Sequence, residues 1–141
     1  MKSRKRIAAA ITSLALTAVG MVATAGPAAA GYENNYGKAG TPDPALVGAR
    51  DCVESYRAKV CFQEYGDKLW VKDIRRDGYT PYMSWKVGDR WGECYNNYGY
   101  GKWAVCDKNF TENMAIKFAA SSYNFTTKKQ GAVSDTKSLR T

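Results

Sequence analysis

The stretch Val60-Cys-Phe-Gln-Glu-Tyr-Gly-Asp-Lys-Leu-Trp-Val71 decides the fold. Two apolar runs flank Gly66-Asp67, a dipeptide suited to a tight turn. A two-residue turn there sets Tyr65 opposite Lys68, Phe62 opposite Val71 and Val60 opposite Asp73. Val60, Phe62, Leu69 and Val71 then gather on one face, and Cys61, Gln63, Trp70 and Lys72 on the other. A slip of one residue mixes the two sets, so the pattern selects its own parity.

The same period of two runs outward. Met83, Trp85 and Val87 alternate with Tyr82, Ser84 and Lys86; Met114, Ile116, Phe118 and Ala120 alternate with Ala115, Lys117 and Ala119. Beyond the first thirty residues no segment carries apolar residues at helical spacing. The expected fold is all-β: a compact antiparallel sandwich or flattened barrel of about six or seven short strands, with two disulfides. Residues 51–125 form that domain. Residues 31–50, rich in Gly, Asn, Pro and Ala, read as a flexible leader. Residues 126–141 read as a polar tail in which residues 138–141 add a short edge strand.

The N-terminus has the three regions of a secretory signal peptide. Lys2, Arg4, Lys5 and Arg6 precede an uncharged Ala-, Leu- and Val-rich run, and Ala28-Ala29-Ala30 offers small residues for cleavage before Gly31. Ala23-Thr24-Ala25 offers an earlier cut, and a retained membrane anchor is the competing reading. Cleavage before Gly31 leaves 111 of the 141 residues. Four of the 21 basic residues leave with the signal, so 17 face 13 acidic residues, a net charge of +4. That charge is a weak pointer to an anionic partner.

All four cysteines, Cys52, Cys61, Cys94 and Cys106, follow the signal. An even count in an exported chain reads as two disulfides. Of the three connectivities, Cys52–Cys61 and Cys94–Cys106 is preferred. A turn near Tyr56-Arg57 sets Cys52 opposite Cys61 and Val53 opposite Val60. A turn at Gly99-Tyr100-Gly101, with Gly101 left-handed, sets Cys94 opposite Cys106 in a second hairpin. Cys61-Phe-Gln-Glu-Tyr-Gly66 echoes Cys94-Tyr-Asn-Asn-Tyr-Gly99, as two hairpins of similar design would.

The chain has no histidine, which removes the commonest general base and the Ser-His-Asp triad. Oxidised cysteines leave no thiol nucleophile, and their spacing is not that of a zinc knuckle. No metal or other cofactor is implied. Carboxylates are present, but no spacing picks out a glycosidase pair; Asp67, Asp77 and Asp107 sit near turns, where aspartate serves the backbone. Asn109-Phe-Thr111 and Asn124-Phe-Thr126 match the glycosylation acceptor pattern.

Aromatic residues stand out: 10 Tyr, 4 Trp and 4 Phe. Phe62, Trp85 and Phe118 are assigned to the core. The stretch Arg90-Trp-Gly-Glu-Cys-Tyr-Asn-Asn-Tyr-Gly-Tyr-Gly-Lys-Trp103 concentrates the rest with amides. Tyrosine and tryptophan suit interfaces because one ring brings apolar area and a hydrogen-bonding end. Trp91, Tyr95, Asn97, Tyr98, Tyr100 and Trp103 are therefore the candidate binding residues. Arg57 and Lys59, in the turn stapled by Cys52 and Cys61, are the candidates for an inhibitory loop presenting a basic residue to a protease.

The pattern Cys61-Phe, Gly66-Asp-Lys-Leu-Trp-Val-Lys-Asp73, Asp77-Gly78, Trp85, Gly92-Glu-Cys94, Gly99-Tyr-Gly-Lys-Trp103 and Cys106-Asp, behind an alanine-rich signal, resembles a group of small disulfide-bonded secreted proteins of actinobacteria. The resemblance spans residues 51–123 and implies a fold; the group has no established activity to carry over. The expected function is a secreted, non-enzymatic binding protein. Its partner is an extracellular glycan or protein, with no membrane attachment after cleavage and no nucleic acid. A protease inhibitor, a small hydrolase and a toxin are the alternatives.

Overall fold

A computed structural model describes residues 31–46, 48 and 50–141. The expected signal peptide, residues 1–30, lies outside the described residues. Among the described residues eleven strands form two sheets, and the one helical element is a 3-10 turn at Pro44–Leu46. No helix among the described residues is long and apolar enough to cross a membrane.

The strands are β1 Gly31–Tyr36, β2 Lys38–Gly40, β3 Cys52–Glu54, β4 Ala58–Gln63, β5 Lys68–Asp73, β6 Thr80–Val87, β7 Arg90–Tyr95, β8 Trp103–Asp107, β9 Ala115–Asn124, β10 Lys129–Gln130 and β11 Lys137–Arg140. One sheet, here called the front sheet, has the order β1-β7-β6-β9-β10, with β11 also on β9. The back sheet has the order β2-β8-β5-β4-β3. Alternation explains both. Met83, Trp85, Val87, Ile116, Phe118 and Ala120 point from the front sheet onto Val60, Phe62, Leu69 and Val71 of the back sheet, and all are buried in one cluster. Burying a side chain of this kind stabilises the fold by about 1.5–3 kcal/mol.

The β3–β4 hairpin has the expected register, with Cys52 opposite Cys61 and Val53 opposite Val60. The β4–β5 hairpin does not. Its pairs are Phe62 with Leu69 and Val60 with Val71, two residues away from the expected set. A shift of two preserves parity, so the faces survive while the turn grows to four residues. Gly66 and Asp67 both adopt left-handed backbone there, at φ 82° and 49°. Asp67 is held so because its carboxylate accepts the Phe110 amide at 2.7 Å and its carbonyl accepts the Lys108 amide at 3.1 Å.

Cys94 does bond Cys106, but β7 and β8 are not a hairpin: β7 pairs with β1 and β6, and β8 with β2 and β5. The bond crosses between sheets, which here approach to 6.0 Å between Cα atoms, closer than the ~10 Å usual for facing sheets. The left-handed glycines at 99 and 101 (φ 82° and 77°) therefore turn a crossover. Asn96 braces it: its side-chain amide donates to the Val71 and Lys102 carbonyls at 2.9 and 2.8 Å, and its oxygen accepts the Tyr98 amide. The sequence echo joins a true hairpin to a crossover.

Contrary to the sequence reading, residues 31–50 are not a leader throughout. β1 lies parallel to β7, and β2 pairs with β8. Tyr32, Asn34 and Tyr36 alternate with Glu33 and Asn35 in the period-two manner that the glycine and asparagine content obscured. In the tail, β11 supplies the expected edge strand, moved by one residue, and β10 adds another.

Candidate functional site

The outward face of the front sheet is built by the residues that alternate with the core. Its cross-strand rows follow from the register. One row reads Tyr32, Trp91, Lys86, Lys117; the next Asn34, Glu93, Ser84, Ala119; the third Tyr36, Tyr95, Tyr82, Ser121. Tyr32 meets Trp91 at 4.7 Å between ring centres, and Tyr36, Tyr95 and Tyr82 follow one another at 5.4 and 4.9 Å. Phe125 closes on Tyr95 at 5.9 Å and on Tyr123 at 4.9 Å. Tyr32, Tyr36, Trp91 and Phe125 are each about half exposed, whereas Tyr82 and Tyr95 are buried beneath their neighbours.

Glu93 lies in the middle of this face. Its carboxylate accepts the hydroxyls of Tyr32 and Tyr95, the latter at 2.9 Å. The bond to Glu93, then burial and the carboxylate's charge, pushes the Tyr32 hydroxyl up to about 12. Burial first, and then Glu93, pushes Tyr95 up as well. Glu93→Gln removes the charge, so Tyr32 should titrate nearer the ordinary ~10. The check is tyrosinate absorbance against pH, with Tyr32→Phe identifying the transition; an unmoved transition would show that the carboxylate does not hold the hydroxyl.

Beside Trp91 an open depression of about 370 Å³ is lined by Ser84, Lys86, Lys117, Ala119 and Thr136 among others. Of its lining residues Ala119 is buried and Ser84 half-buried, whereas Trp91 and the two lysines are exposed.

The expected site residues divide among three surfaces. Trp91 and Tyr95 are on the front face, with Trp91 exposed and Tyr95 supporting from below. Tyr98 and Trp103 line a hollow of about 700 Å³ with Ala39, Gly40 and Thr41, at the outer side of the back sheet. Asn97 and Tyr100 line a depression of about 480 Å³ at the loop end, where Arg76 stacks on Tyr100 at 4.9 Å. The division follows from the crossover: once β7 and β8 belong to different sheets, residues 96–102 pass round the edge of the sandwich. Tyr32, Tyr36, Tyr82, Phe125 and Glu93 were not expected at a site; the alternation of Tyr32 and Tyr36 was the available signal.

Arg57 and Lys59 are engaged within the chain. Arg57 donates to Asp77 at 2.5 Å and lies over the Tyr79 ring at 3.9 Å; Lys59 pairs with Glu54 at 3.2 Å. Asp77 also takes the Tyr79 amide, and Asp73 the Arg75 amide, the backbone work expected of aspartates in loops. Burial chiefly, opposed by that amide, raises the Asp73 pKa. The Cys52–Cys61 bond sits on the outer side of the back sheet against Trp70, whose indole donates to Gln63 at 3.0 Å. No group of three or more metal-binding side chains occurs among the described residues.

No protein family, no curated protein and no solved structure matches the chain.

Proposed function

We propose that the protein is an exported, non-enzymatic binding protein and that its ligand is an extracellular glycan held on the front face. The observation that carries this reading is the run of half-exposed rings, Tyr32, Trp91, Tyr36 and Phe125, on a single sheet face. A pyranose ring has an apolar C–H face that packs on an aromatic ring and hydroxyls that bond to carboxylate and amide groups at its edge. Glu93 supplies a carboxylate, Asn34 an amide and Ser84 a hydroxyl between the rings. Two disulfides suit an oxidising compartment, and export agrees with the basic and apolar N-terminus.

Co-sedimentation with chitin, cellulose and peptidoglycan tests it. The oxidised protein should pellet with one of them, and Trp91→Ala and Tyr36→Ala should each cut the bound fraction by about tenfold. Tyr100→Ala and Trp103→Ala, on the other two surfaces, should pellet as the parent does. Pelleting that survives Trp91→Ala but not Trp103→Ala would move the site to the back sheet.

A further inference from the structure

The first row of the front face has a feature that stacking alone does not need. Lys86 and Lys117 stand directly opposite each other on β6 and β9, both exposed, with Trp91 next across the sheet from Lys86. Like charges facing one another across a sheet destabilise it. Among the described residues neither lysine has a carboxylate within ion-pair distance; the four ion pairs there use Arg57, Lys59, Arg90 and Lys108. Glu93, one row away on this face, is held by Tyr32 and Tyr95. Both lysines line the Trp91 depression, whose size, about 370 Å³, falls within the range of small-ligand sites.

Resting on the reading of the front face as a glycan site, we infer that the sugar it takes is acidic: a uronic-acid unit whose ring stacks on Trp91 and whose carboxylate lies between Lys86 and Lys117. The carboxylate relieves the repulsion between the lysines. The ring's hydroxyls reach Glu93 and Ser84, one row away. A bare inorganic anion offers neither the apolar face nor the hydroxyl donors. A densely charged polyanion would bring its charges against Glu93. The site thus suits a ligand with one carboxylate per sugar, set beside a neutral ring face.

The test uses soluble oligomers of galacturonate, glucuronate and mannuronate, each paired with its carboxyl-reduced counterpart, titrated into the oxidised protein at low ionic strength. At least one acidic member should bind about tenfold more tightly than its reduced partner. That margin should shrink as salt rises. Lys86→Gln and Lys117→Gln, which remove one charge each at exposed positions, should each remove most of the margin, weakening the acidic oligomer far more than its reduced partner. Trp91→Ala should weaken both members. Equal affinity for both members of every pair overturns the acidic-sugar assignment and leaves the glycan reading standing. Binding of neutral polymer with no binding of any acidic oligomer does the same. No binding to any oligomer or polymer overturns both.

Discussion

Replacing Cys94 and Cys106 together by alanine should lower the unfolding free energy by about 4 kcal/mol, within the range for a native disulfide in a small domain. Loop entropy accounts for about 3 kcal/mol of this, given a separation of 12 residues. The rest arises in the folded state. Both sulfurs belong to the main core, beside Leu69, Met83 and Phe118 in one buried cluster, and removing them leaves a void that fixed neighbours do not fill. The bond also links strands that no hydrogen-bond ladder joins, so it is what ties β7 to β8 across the sandwich. The paired change Cys52→Ala with Cys61→Ala is the control. Its loop of 9 residues gives nearly the same entropy, about 2.7 kcal/mol, but β3 and β4 remain paired without it and its cluster is small. Urea unfolding of the two variants should show the inter-sheet pair costing more by about 1 kcal/mol. Equal losses would mean that the bond acts through the unfolded chain alone. A loss equal to the domain's whole stability, which for this size is of order 5–15 kcal/mol, would show that the sheets do not assemble without it.

That difference between the two bonds marks where the sequence stops being legible. Parity was readable throughout: Val60, Phe62, Leu69, Val71, Met83, Trp85, Ile116 and Phe118 all point inward, as their alternation required. Local pairing was readable where the turn was short, as in β3–β4. Register failed at residues 64–67 because a shift of two leaves every face unchanged, and a remote contact, Asp67 to Phe110, chose the longer turn. Partner sheet failed at β7 and β8 because a disulfide satisfies its geometry equally well between hydrogen-bonded neighbours and between facing sheets. The candidate site inherited that error. Trp91 was found because it is aromatic and near its neighbours in sequence, whereas Lys86 and Lys117 meet only through β6–β9 pairing across thirty residues. Tyr32 and Tyr36 were hidden by flanking glycine and asparagine, residues that weaken a strand unless another strand carries it.

Gly92→Ala should detach that carried strand. β1 has no hairpin partner; it lies parallel to β7 with Glu33 opposite Gly92. A Cβ built at Gly92 would fall within the Glu33 carbonyl group, its carbon at 2.8 Å, and the obstacle is backbone, which cannot swing aside. Either β7 shifts against Trp85, its other neighbour, or β1 leaves. Leaving costs less to the core, because β1 contributes no member of the main cluster. It does lose the Glu33 carboxylate's bonds to Arg90 at 2.8 Å and Lys108 at 2.6 Å. The expected destabilisation is about 3 kcal/mol, the upper end for forcing a methyl into a filled space. Its local signature is faster amide exchange over residues 31–36 with the β6–β9 amides still protected. Acid should produce the same opening in the parent. Burial pushes the Glu33 pKa up, but the bonds from Arg90 and Lys108 outweigh it and hold the carboxyl below its usual range. A depressed folded value contributes stability above the ordinary ~4.3, which is lost as pH falls through the folded value. Exchange over residues 31–36 should therefore rise below about pH 4 in the parent and be insensitive to pH, beyond the intrinsic rate, in Gly92→Ala. Because Tyr32 and Tyr36 travel with β1, the variant should also lose binding at the front face while keeping its folded core. If Gly92→Ala leaves exchange over residues 31–36 slow, β1 is held by something other than this close approach. If it abolishes binding without touching exchange, the front face depends on the position of β7 and not on β1.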